Sequence, residues 1–368
     1  MFWLWLCFAS LALSAALVPQ SLYRQIHLSE SPAFKGRFGE HLIHMIEIDL
    51  ERFDLVPVKA LDRGIGRMSV LELALLHGAA AGINGGFFEI GGTYDGLAAG
   101  ALKIGDWYAL PTKPRAAIGW SPQDRYPKMD RLLVTVTGTC RGKSFPIDGL
   151  NRKRDVGEMV LFSPLFHHRT LTHSDGEEVV ICGGKVISVH QRGNVDIPLD
   201  GYVLSINREH PDYGKFKRGD LLTFTFNCLP QTRATTADEW ARCQFIVGGT
   251  PLLIQNGVKI DDFSSERTRE TFLSGRHART AVGILPNGHW VLVVVDRTDT
   301  CDGMTMSELC DLMADVLHCT HAINMDGGGS ATMVCGNEVK NDPRGDEDEA
   351  NQEKIIRRVS DAILVVPT

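Results

Sequence analysis

The most constraining feature of the sequence is a pair of apolar runs between residues 280 and 296. Thr280-Ala-Val-Gly-Ile-Leu285 is separated by Pro-Asn-Gly from the second run, His289-Trp-Val-Leu-Val-Val-Val-Asp296. β-Branched residues are frequent in both runs, and the Pro-Asn-Gly linker is typical of a turn. The pattern predicts a hairpin whose valine-rich strands are central in a sheet.

Several other segments have the composition of strands. They lie at residues 41–50, 79–83, 132–137, 177–182, 221–226, 321–325 and 357–366. A further hairpin is predicted over residues 245–260, turning at Asn256-Gly257. Capping boxes at Ser69-x-x-Glu72 and Thr305-x-x-Glu308 predict helices, the first ending near His77 and the second covering residues 306–318.

No clean linker divides these elements, so one large domain over residues 40–368 is expected. The predicted fold class is α+β, with a central twisted mixed β-sheet flanked by helices.

The first sixteen residues carry no charged side chain and are apolar over about the length of a signal sequence. Pro19-Gln20 interrupts the run before the roughly 20 apolar residues that a membrane anchor needs. We therefore expect a signal peptide at residues 1–16 and an N-terminal extension at 17–39. The mature protein would be secreted, periplasmic or lumenal, without a membrane span. A buried N-terminal helix or an anchor is the alternative interpretation.

Eight cysteines follow the expected signal peptide, and an even number in an exported chain predicts disulfides. Free buried thiols are the alternative. Cys301 and Cys319 are not expected to pair, because the predicted helix between them would be about 20 Å long. The spacing of Cys and His is not that of a structural zinc site.

The net charge of −7 argues against a general binder of nucleic acid or other polyanions. A small anion held by a few local arginines is compatible with it. Glycine is in excess, at 37 of 368 residues, which indicates tight turns and close approach of backbone to other groups.

Two segments share one plan, a capped helix, a short apolar strand, an asparagine and a glycine run. They end in Asn84-Gly85-Gly86 and in Asn324-Met-Asp326-Gly-Gly-Gly-Ser330. If both strands lie in one sheet and run in the same direction, both asparagines and both glycine turns meet at one edge, where ligands commonly bind. Two ordinary helix-to-strand units are the alternative, but their joint presence favours a shared site.

The second segment has the groups that an anion or a sugar needs. The amides of Gly327, Gly328 and Gly329 can surround an oxygen anion, and Ser330 adds a hydroxyl. Asp326 adds a carboxylate at the end of a strand, where the backbone can aim it. A flexible surface turn is the alternative.

Three further residues are candidates. Arg276 and Arg279 precede a core strand and suit a phosphate, although their odd spacing requires a bend in the chain. Asp296 ends the valine-rich strand, a suitable place for a catalytic carboxylate. Surface salt bridges and a turn-starting aspartate are the respective alternatives. No cofactor is expected, and a divalent cation would suit the carboxylates without being demanded by any spacing.

Six stretches, in order and covering the chain from about residue 40, resemble the phosphodiester glycosidase family, typified by the animal uncovering enzyme. They are Asn84-Gly-Gly-Phe-Phe, Gly248-Gly-Thr-Pro-Leu-Leu, Arg276-His-Ala-Arg-Thr-Ala-Val-Gly283, Val295-Asp296 with Thr305-Met-Ser-Glu-Leu309, Asn324-Met-Asp-Gly-Gly-Gly-Ser-Ala-Thr-Met333, and Arg358-Val-Ser-Asp-Ala-Ile. Arg297 stands where the family usually has glycine.

The resemblance implies an enzyme that hydrolyses a sugar-1-phosphodiester, such as that of N-acetylglucosamine, to free sugar and a phosphomonoester. Asp326 is then the first and Asp296 the second choice for the catalytic carboxylate. The expected substrate-binding residues are Asn84, Gly85, Gly86, Arg276, Arg279, Asn324, Gly327, Gly328, Gly329 and Ser330. Two alternatives stay open, a non-catalytic secreted sugar- or envelope-binding protein that uses the same pocket, and a phosphodiesterase that cuts the P–O bond. The sugar, the aglycone and the oligomeric state are left open.

Overall fold

The chain, in a computed structural model, consists mostly of β-strands. The structure describes residues 23–28, 41–122, 126–301, 303–348 and 353–368. The strands are β1 Tyr23–His27, β2 Leu42–Ile48, β3 Phe53–Lys59, β4 Ala81–Asn84, β5 Leu102–Ile104, β6 Asp106–Ala109, β7 Arg115–Trp120, β8 Lys128–Cys140, β9 Lys143–Ile147, β10 Gly149–Leu150, β11 Met159–Phe162, β12 Gly176–Cys182, β13 Lys185–His190, β14 Gly201–Asn207, β15 Leu222–Pro230, β16 Phe245–Gly248, β17 Leu252–Gln255, β18 Val258–Lys259, β19 Arg279–Ile284, β20 Trp290–Val295, β21 His321–Asn324, β22 Met333–Cys335, β23 Glu338–Val339, β24 Asp346–Asp348, β25 Glu353–Ile355 and β26 Asp361–Pro367. The helices are α1 Val70–Leu76, α2 Ala237–Arg242, α3 Glu270–Ser274 and α4 Met306–Asp311, and a π-helical turn, Leu312–Val316, continues α4.

The strands form four main sheets and one two-stranded ribbon, β24-β25. Sheet I is seven-stranded, in the order β1-β2-β20-β19-β21-β17-β18. Sheet II is five-stranded, β10-β11-β14-β12-β13, and sheet III is seven-stranded, β15-β8-β7-β16-β5-β6 with β9 beside β8. Sheet IV is five-stranded, β23-β22-β4-β26-β3.

The predicted α+β class agrees only roughly with this architecture, which is dominated by sheets and lacks the expected single central mixed sheet flanked by helices. Among the described strands the pairings are antiparallel, except for the short parallel contact between β10 and β11. The helices are short, of five to seven residues. Antiparallel sheets bury their faces against one another, so few helices are needed to cover them.

The valine-rich hairpin is confirmed as β19 and β20, which lie side by side within sheet I. Alternate residues of β20 enter two different cores. Trp290, Leu292 and Val294 pack in the core shared with sheets III and IV, whereas the intervening valines pack under α4. A strand with an apolar core on each face has no polar alternation, which explains the sequence pattern.

The predicted helix starts are confirmed, because Ser69 and Thr305 each form a capping box. The α-helix after Thr305 ends at Asp311, earlier than expected, and a π-helical turn follows. The predicted hairpin over residues 245–260 is confirmed only in its second half. Asn256-Gly257 does join β17 to β18, but β16 belongs to sheet III.

In the described part of the chain no disulfide joins the cysteines from Cys140 to Cys335, and six of these eight are buried, which agrees with the alternative of buried thiols. The proposed signal peptide and most of the N-terminal extension lie outside the described residues. In the part of the chain that is described, no helix has the length and apolar character needed to cross a bilayer.

Candidate active site

The ends of strands from three sheets converge on one region. β4 of sheet IV ends at Asn84, β16 of sheet III at Gly248, and β21 of sheet I at Asn324. The two asparagine–glycine segments do meet there, although β4 and β21 belong to different sheets. The Asp326 amide donates to the Gly85 carbonyl at 3.2 Å. The convergence therefore arises from packing of sheets and not from one shared edge.

Asn84 joins the two segments. Its Nδ2 donates to the carbonyl of Asp326 at 2.7 Å, and its Oδ1 accepts from the Thr280 hydroxyl at 2.8 Å and the Thr332 amide at 3.2 Å. The side chain is 1% exposed. These bonds leave the amide little capacity for a sugar hydroxyl, so the geometry favours a positioning role over the predicted contact with substrate.

Asn84→Ala is expected to lower the free energy of unfolding by about 3 kcal/mol, because it leaves several buried polar groups unpaired. Chemical denaturation measures this loss. Asn227→Ala is the matched control, since Asn227 makes one side-chain bond, to Thr137 at 3.2 Å, in a partly buried position. Equal losses in the two variants would contradict the positioning role.

Asn324 holds the neighbouring turn. Its Nδ2 donates to the carbonyls of Thr250 at 2.6 Å and Met325 at 2.7 Å. Its Oδ1 is buried without a hydrogen-bond partner among the described residues. Gly249 packs so closely that a Cβ atom would overlap the Asn324 carbonyl. Glycine is thus required where the two strand ends touch.

Asp326 is the ionisable group at the centre of this region. It is half-buried, and its Oδ1 accepts the amide of Gly327 at 2.9 Å. Burial raises the pKa of the Asp326 carboxyl to about 7, outweighing that amide and the nearby Arg357 charge, which lower it. A carboxyl with such a pKa exchanges protons near neutral pH, as a catalytic acid or base does.

A second carboxyl, which was not among the predicted site residues, acts on Asp326. The charge of Asp361, at the start of β26, raises the pKa of Asp326. Asp361 is 2% exposed, and its Oδ1 accepts the Gly86 amide at 2.9 Å. Burial raises its own pKa too, and its Oδ2 has no hydrogen-bond partner among the described residues.

The glycine run is built around internal contacts. The Gly327 amide is used by Asp326, and the Gly328 amide donates to the Ala278 carbonyl at 2.7 Å. Gly328 has a φ of 58°, which favours glycine. The guanidinium of Arg357 lies against Gly329, so close that a Cβ there would be 2.7 Å from its Cζ. Ser330 is fully buried beside these groups.

The two predicted phosphate ligands are both engaged elsewhere. Arg276 pairs with Glu308 and donates to the Gly303 carbonyl at 3.0 Å. Arg279 is fully buried and donates to the carbonyls of Met304, Phe272 and Gly275, each at 2.8 Å. Both arginines thus stabilise the loops around β19. Nη1 of Arg279 is buried and has no hydrogen-bond partner among the described residues.

Asp296, the second predicted carboxylate, lies in a separate network. Its Oδ2 contacts His44 Nε2 at 2.9 Å, and its Oδ1 accepts from Asn341 Nδ2 at 3.0 Å. The hydroxyl of Tyr23 contacts the other nitrogen of His44 at 2.7 Å. The carboxyl whose charge acts on Asp326 is Asp361, and the catalytic role expected of Asp296 stays a prediction.

A basic groove, which the sequence did not reveal, adjoins this region. It has a volume of about 590 Å³ and is lined by Phe87, Lys113, Arg115, Thr250, Arg267, Thr268, Arg269, Thr271, Phe272 and His277. Phe87 follows Gly85-Gly86 directly, and His277 neighbours the Ala278 carbonyl that holds the glycine run. Burial lowers the pKa of His277, and the charges of Arg279 and of the exposed Arg297 lower it further, so this departure from the family pattern bears on the groove.

These groups can bind an anion beside a carboxyl that titrates near neutrality. In the described part of the chain, no three His, Cys, Asp or Glu side chains are arranged to hold a metal ion. The expectation on cofactors stays a prediction.

Comparison with known proteins identifies relatives of the chain. The family profile of the phosphodiester glycosidases matches residues 175–366. The N-acetylglucosamine-1-phosphodiester alpha-N-acetylglucosaminidase of Bos taurus is 35% identical over 131 residues, which cover 33% of this chain and 24% of the bovine protein. The match thus spans about a quarter of that relative.

Two solved structures share the fold. A hypothetical protein from Synechocystis superposes with a TM-score of 0.78 at 22% identity, covering 94% of this chain and 61% of that one. A candidate exported protein from Burkholderia pseudomallei superposes with a TM-score of 0.72 at 22% identity, covering 89% and 74%.

Proposed function

This chain belongs to the phosphodiester glycosidase family, and we propose that it hydrolyses the glycosidic bond of a sugar-1-phosphodiester, with N-acetylglucosamine as the first sugar to test. The products are the free sugar and a phosphomonoester. The observation that carries the proposal is Asp326, whose carboxyl has a pKa of about 7 beside a second buried carboxyl and a basic groove.

Asp326 is the general base in this mechanism. In its ionised form the carboxylate takes a proton from water as the water oxygen bonds to the anomeric carbon. The bond from that carbon to the phosphate oxygen breaks, and the electron pair leaves with the phosphate. A phosphate leaving group needs little protonation, so stabilising its charge matters more than a strong general acid.

The groove beside Asp326 supplies that stabilisation. Arg276 pairs with a carboxylate and Arg279 donates to carbonyls. We therefore place the substrate phosphate against the cations of the groove and Arg357. Cations fixed before the reaction stabilise charge that develops on the leaving oxygen. Asn84, Asn324, Gly85 and Gly86 then hold Asp326 and Asp361 in place.

The direct test is incubation with the methyl-mannoside phosphodiester of N-acetylglucosamine, followed by detection of free sugar. Release of N-acetylglucosamine supports the proposal. Binding without release favours a sugar-binding protein that uses the same pocket. Release of sugar-1-phosphate would indicate P–O cleavage.

The pH dependence of kcat/KM is expected to rise through an apparent pKa near 7, as Asp326 loses its proton. The Asp361 charge raises the pKa of Asp326, so Asp361→Asn should move this limb to lower pH. The Arg357 charge lowers the same pKa, so Arg357→Gln should move the limb to higher pH. Shifts in the same direction for both variants would contradict the assignment of the limb to Asp326.

We also propose that the protein works outside the cytoplasm. The apolar first sixteen residues support this, as does the fold shared with a candidate exported protein. Expression of the full chain with N-terminal sequencing of the mature protein tests for cleavage near Ala16.

A further inference from the structure

The basic groove beside Asp326 has an unusual balance of charge for this chain. Four cationic side chains line it, Lys113, Arg115, Arg267 and Arg269, and none of the described lining residues has a carboxylate. The remaining lining includes three threonine hydroxyls and the rings of Phe87 and Phe272. The chain as a whole carries a net charge of −7, so this concentration of positive charge is a local feature.

A buried glutamate fixes the wall from which two of these cations project. Glu266 is 1% exposed and accepts from the amides of Ala116 at 2.9 Å and Leu252 at 2.8 Å, and from the Thr250 hydroxyl at 2.8 Å. Arg115 precedes one of these partners and Arg267 follows Glu266 itself. Glu266 thus fixes both backbones. Its Oε1 also lies 3.7 Å from Nε of Arg131, and burial lowers the pKa of Arg115 although the Glu266 charge raises it.

The cations are also held close to one another. Lys113 Nζ donates to the carbonyl of Arg267 at 3.1 Å. The pKa of Lys113 is lowered by burial and by the charges of Arg115 and Arg267, which shows that the cations repel one another. Clustered like charges are unfavourable in the unliganded protein, and a bound anion relieves the repulsion.

One phosphodiester does not account for this much charge. A diester carries a single negative charge, and one or two bidentate arginines suffice to bind it. The groove extends from Phe87, next to Gly86 and the carboxyl pair, to Arg267 and Arg269 on the loop before α3. A sugar placed at Asp326 would direct its aglycone along this groove.

We infer that the aglycone carries at least one further anionic group, such as a second phosphate, which binds in the groove lined by Lys113, Arg115, Arg267 and Arg269. This inference rests on the proposed function. It adds that the enzyme selects sugar phosphodiesters whose leaving group is itself an anion.

The test compares two substrates that differ by one terminal phosphate, which adds roughly −1.5 to −2 of charge near pH 7: N-acetylglucosamine-1-phosphoglycerol and the same compound phosphorylated on the glycerol. The phosphorylated compound should have a kcat/KM higher by about tenfold or more at low salt, and the ratio should shrink as salt is added. In the double variant Arg267→Gln, Arg269→Gln the ratio should fall towards one. Lys113→Gln, tested alone, should lower it in part.

The control is Arg192→Gln, Arg218→Gln, which removes the same charge from two exposed positions outside the groove. It should keep the wild-type ratio. Equal kcat/KM values for the two substrates in the wild-type protein would overturn the inference and leave the proposed function intact.

If neither substrate is cleaved, the proposed function fails and calorimetric binding of inorganic pyrophosphate decides the inference separately. Pyrophosphate should bind more tightly than phosphate in the wild-type and control proteins, and binding should be lost in the Arg267, Arg269 double variant. Absence of pyrophosphate binding to the wild-type protein would overturn the inference.

Discussion

Asp326→Asn is expected to lower kcat on a sugar-1-phosphodiester by about a thousandfold, because it removes the base that accepts the proton of the attacking water. The substitution keeps the shape of the side chain, so substrate binding should change little. The measurement is steady-state hydrolysis near pH 8, where the wild-type carboxyl is ionised.

The same variant should be more stable than the wild type at neutral pH. Burial raises the folded-state pKa of Asp326 to about 7, above its usual value of 3.8, so the folded protein binds this proton more tightly than the unfolded chain. The wild type therefore loses stability as the pH rises from about 4 to about 7, whereas asparagine does not titrate. The difference in Tm between variant and wild type should grow over this range.

Lost activity together with a raised Tm would separate a catalytic role from a folding defect. Full activity of Asp326→Asn would refute the assigned role. A Tm that falls at every pH would show that the carboxylate is a structural ligand instead.

Gly85→Ala is expected to lower kcat/KM by about a hundredfold and to destabilise the fold by about 2 kcal/mol. A Cβ at Gly85 would overlap Oδ1 of Asp361 and lie 3.0 Å from its Cγ. Asp361 would have to move, and its hydrogen bond from the Gly86 amide would break. The Gly85 carbonyl, which accepts the Asp326 amide, would shift as well. Both carboxyls are thereby displaced.

Gly100→Ala is the matched control. A Cβ at Gly100 would meet the Cα of Gly248 at 3.6 Å, an ordinary van der Waals contact. Kinetics and thermal denaturation of the two variants should differ sharply. A near-normal Gly85→Ala enzyme would show that Asp361 is not fixed against this turn.

Local features of the fold could be predicted from the sequence, because they depend on neighbouring residues. The capping boxes at Ser69 and Thr305, the turn at Asn256-Gly257 and the valine-rich hairpin all have short-range signatures. The assignment of strands to sheets could not be predicted, since it depends on distant pairings. The last strand, β26, lies between β3 and β4 from the start of the domain.

The parts of the candidate site that depend on neighbouring residues could likewise be predicted, and those that depend on distant strand pairing could not. The Asn-x-Asp-Gly-Gly-Gly-Ser segment correctly indicated where strand ends converge, since glycine is needed where backbones touch. Asp361 was missed as the partner of Asp326 because their proximity depends on the pairing of β26 with β4. Its position in the Arg358-Val-Ser-Asp361 motif, at the start of a strand, was the available signal.

The arginines show what residue type alone does not reveal. Arg276 and Arg279 had the residue type for phosphate, but their burial and their bonds to carbonyls depend on loops distant in sequence. The cations of the groove come from two polar segments, at Lys113-Pro-Arg115 and Arg267-Thr-Arg269, whose juxtaposition depends on Glu266. The basic doublets in an acidic chain were the signal that could have found them.

The central claim, that the bond to the anomeric carbon is the one that breaks, can be measured in one experiment. Hydrolysis of an N-acetylglucosamine-1-phosphodiester in ¹⁸O-labelled water, followed by mass spectrometry of both products, shows which atom water attacks. Attack at the anomeric carbon predicts that the label enters the free sugar and that the phosphomonoester stays unlabelled. Label in the phosphate product would contradict the claim and show that the enzyme cuts the P–O bond.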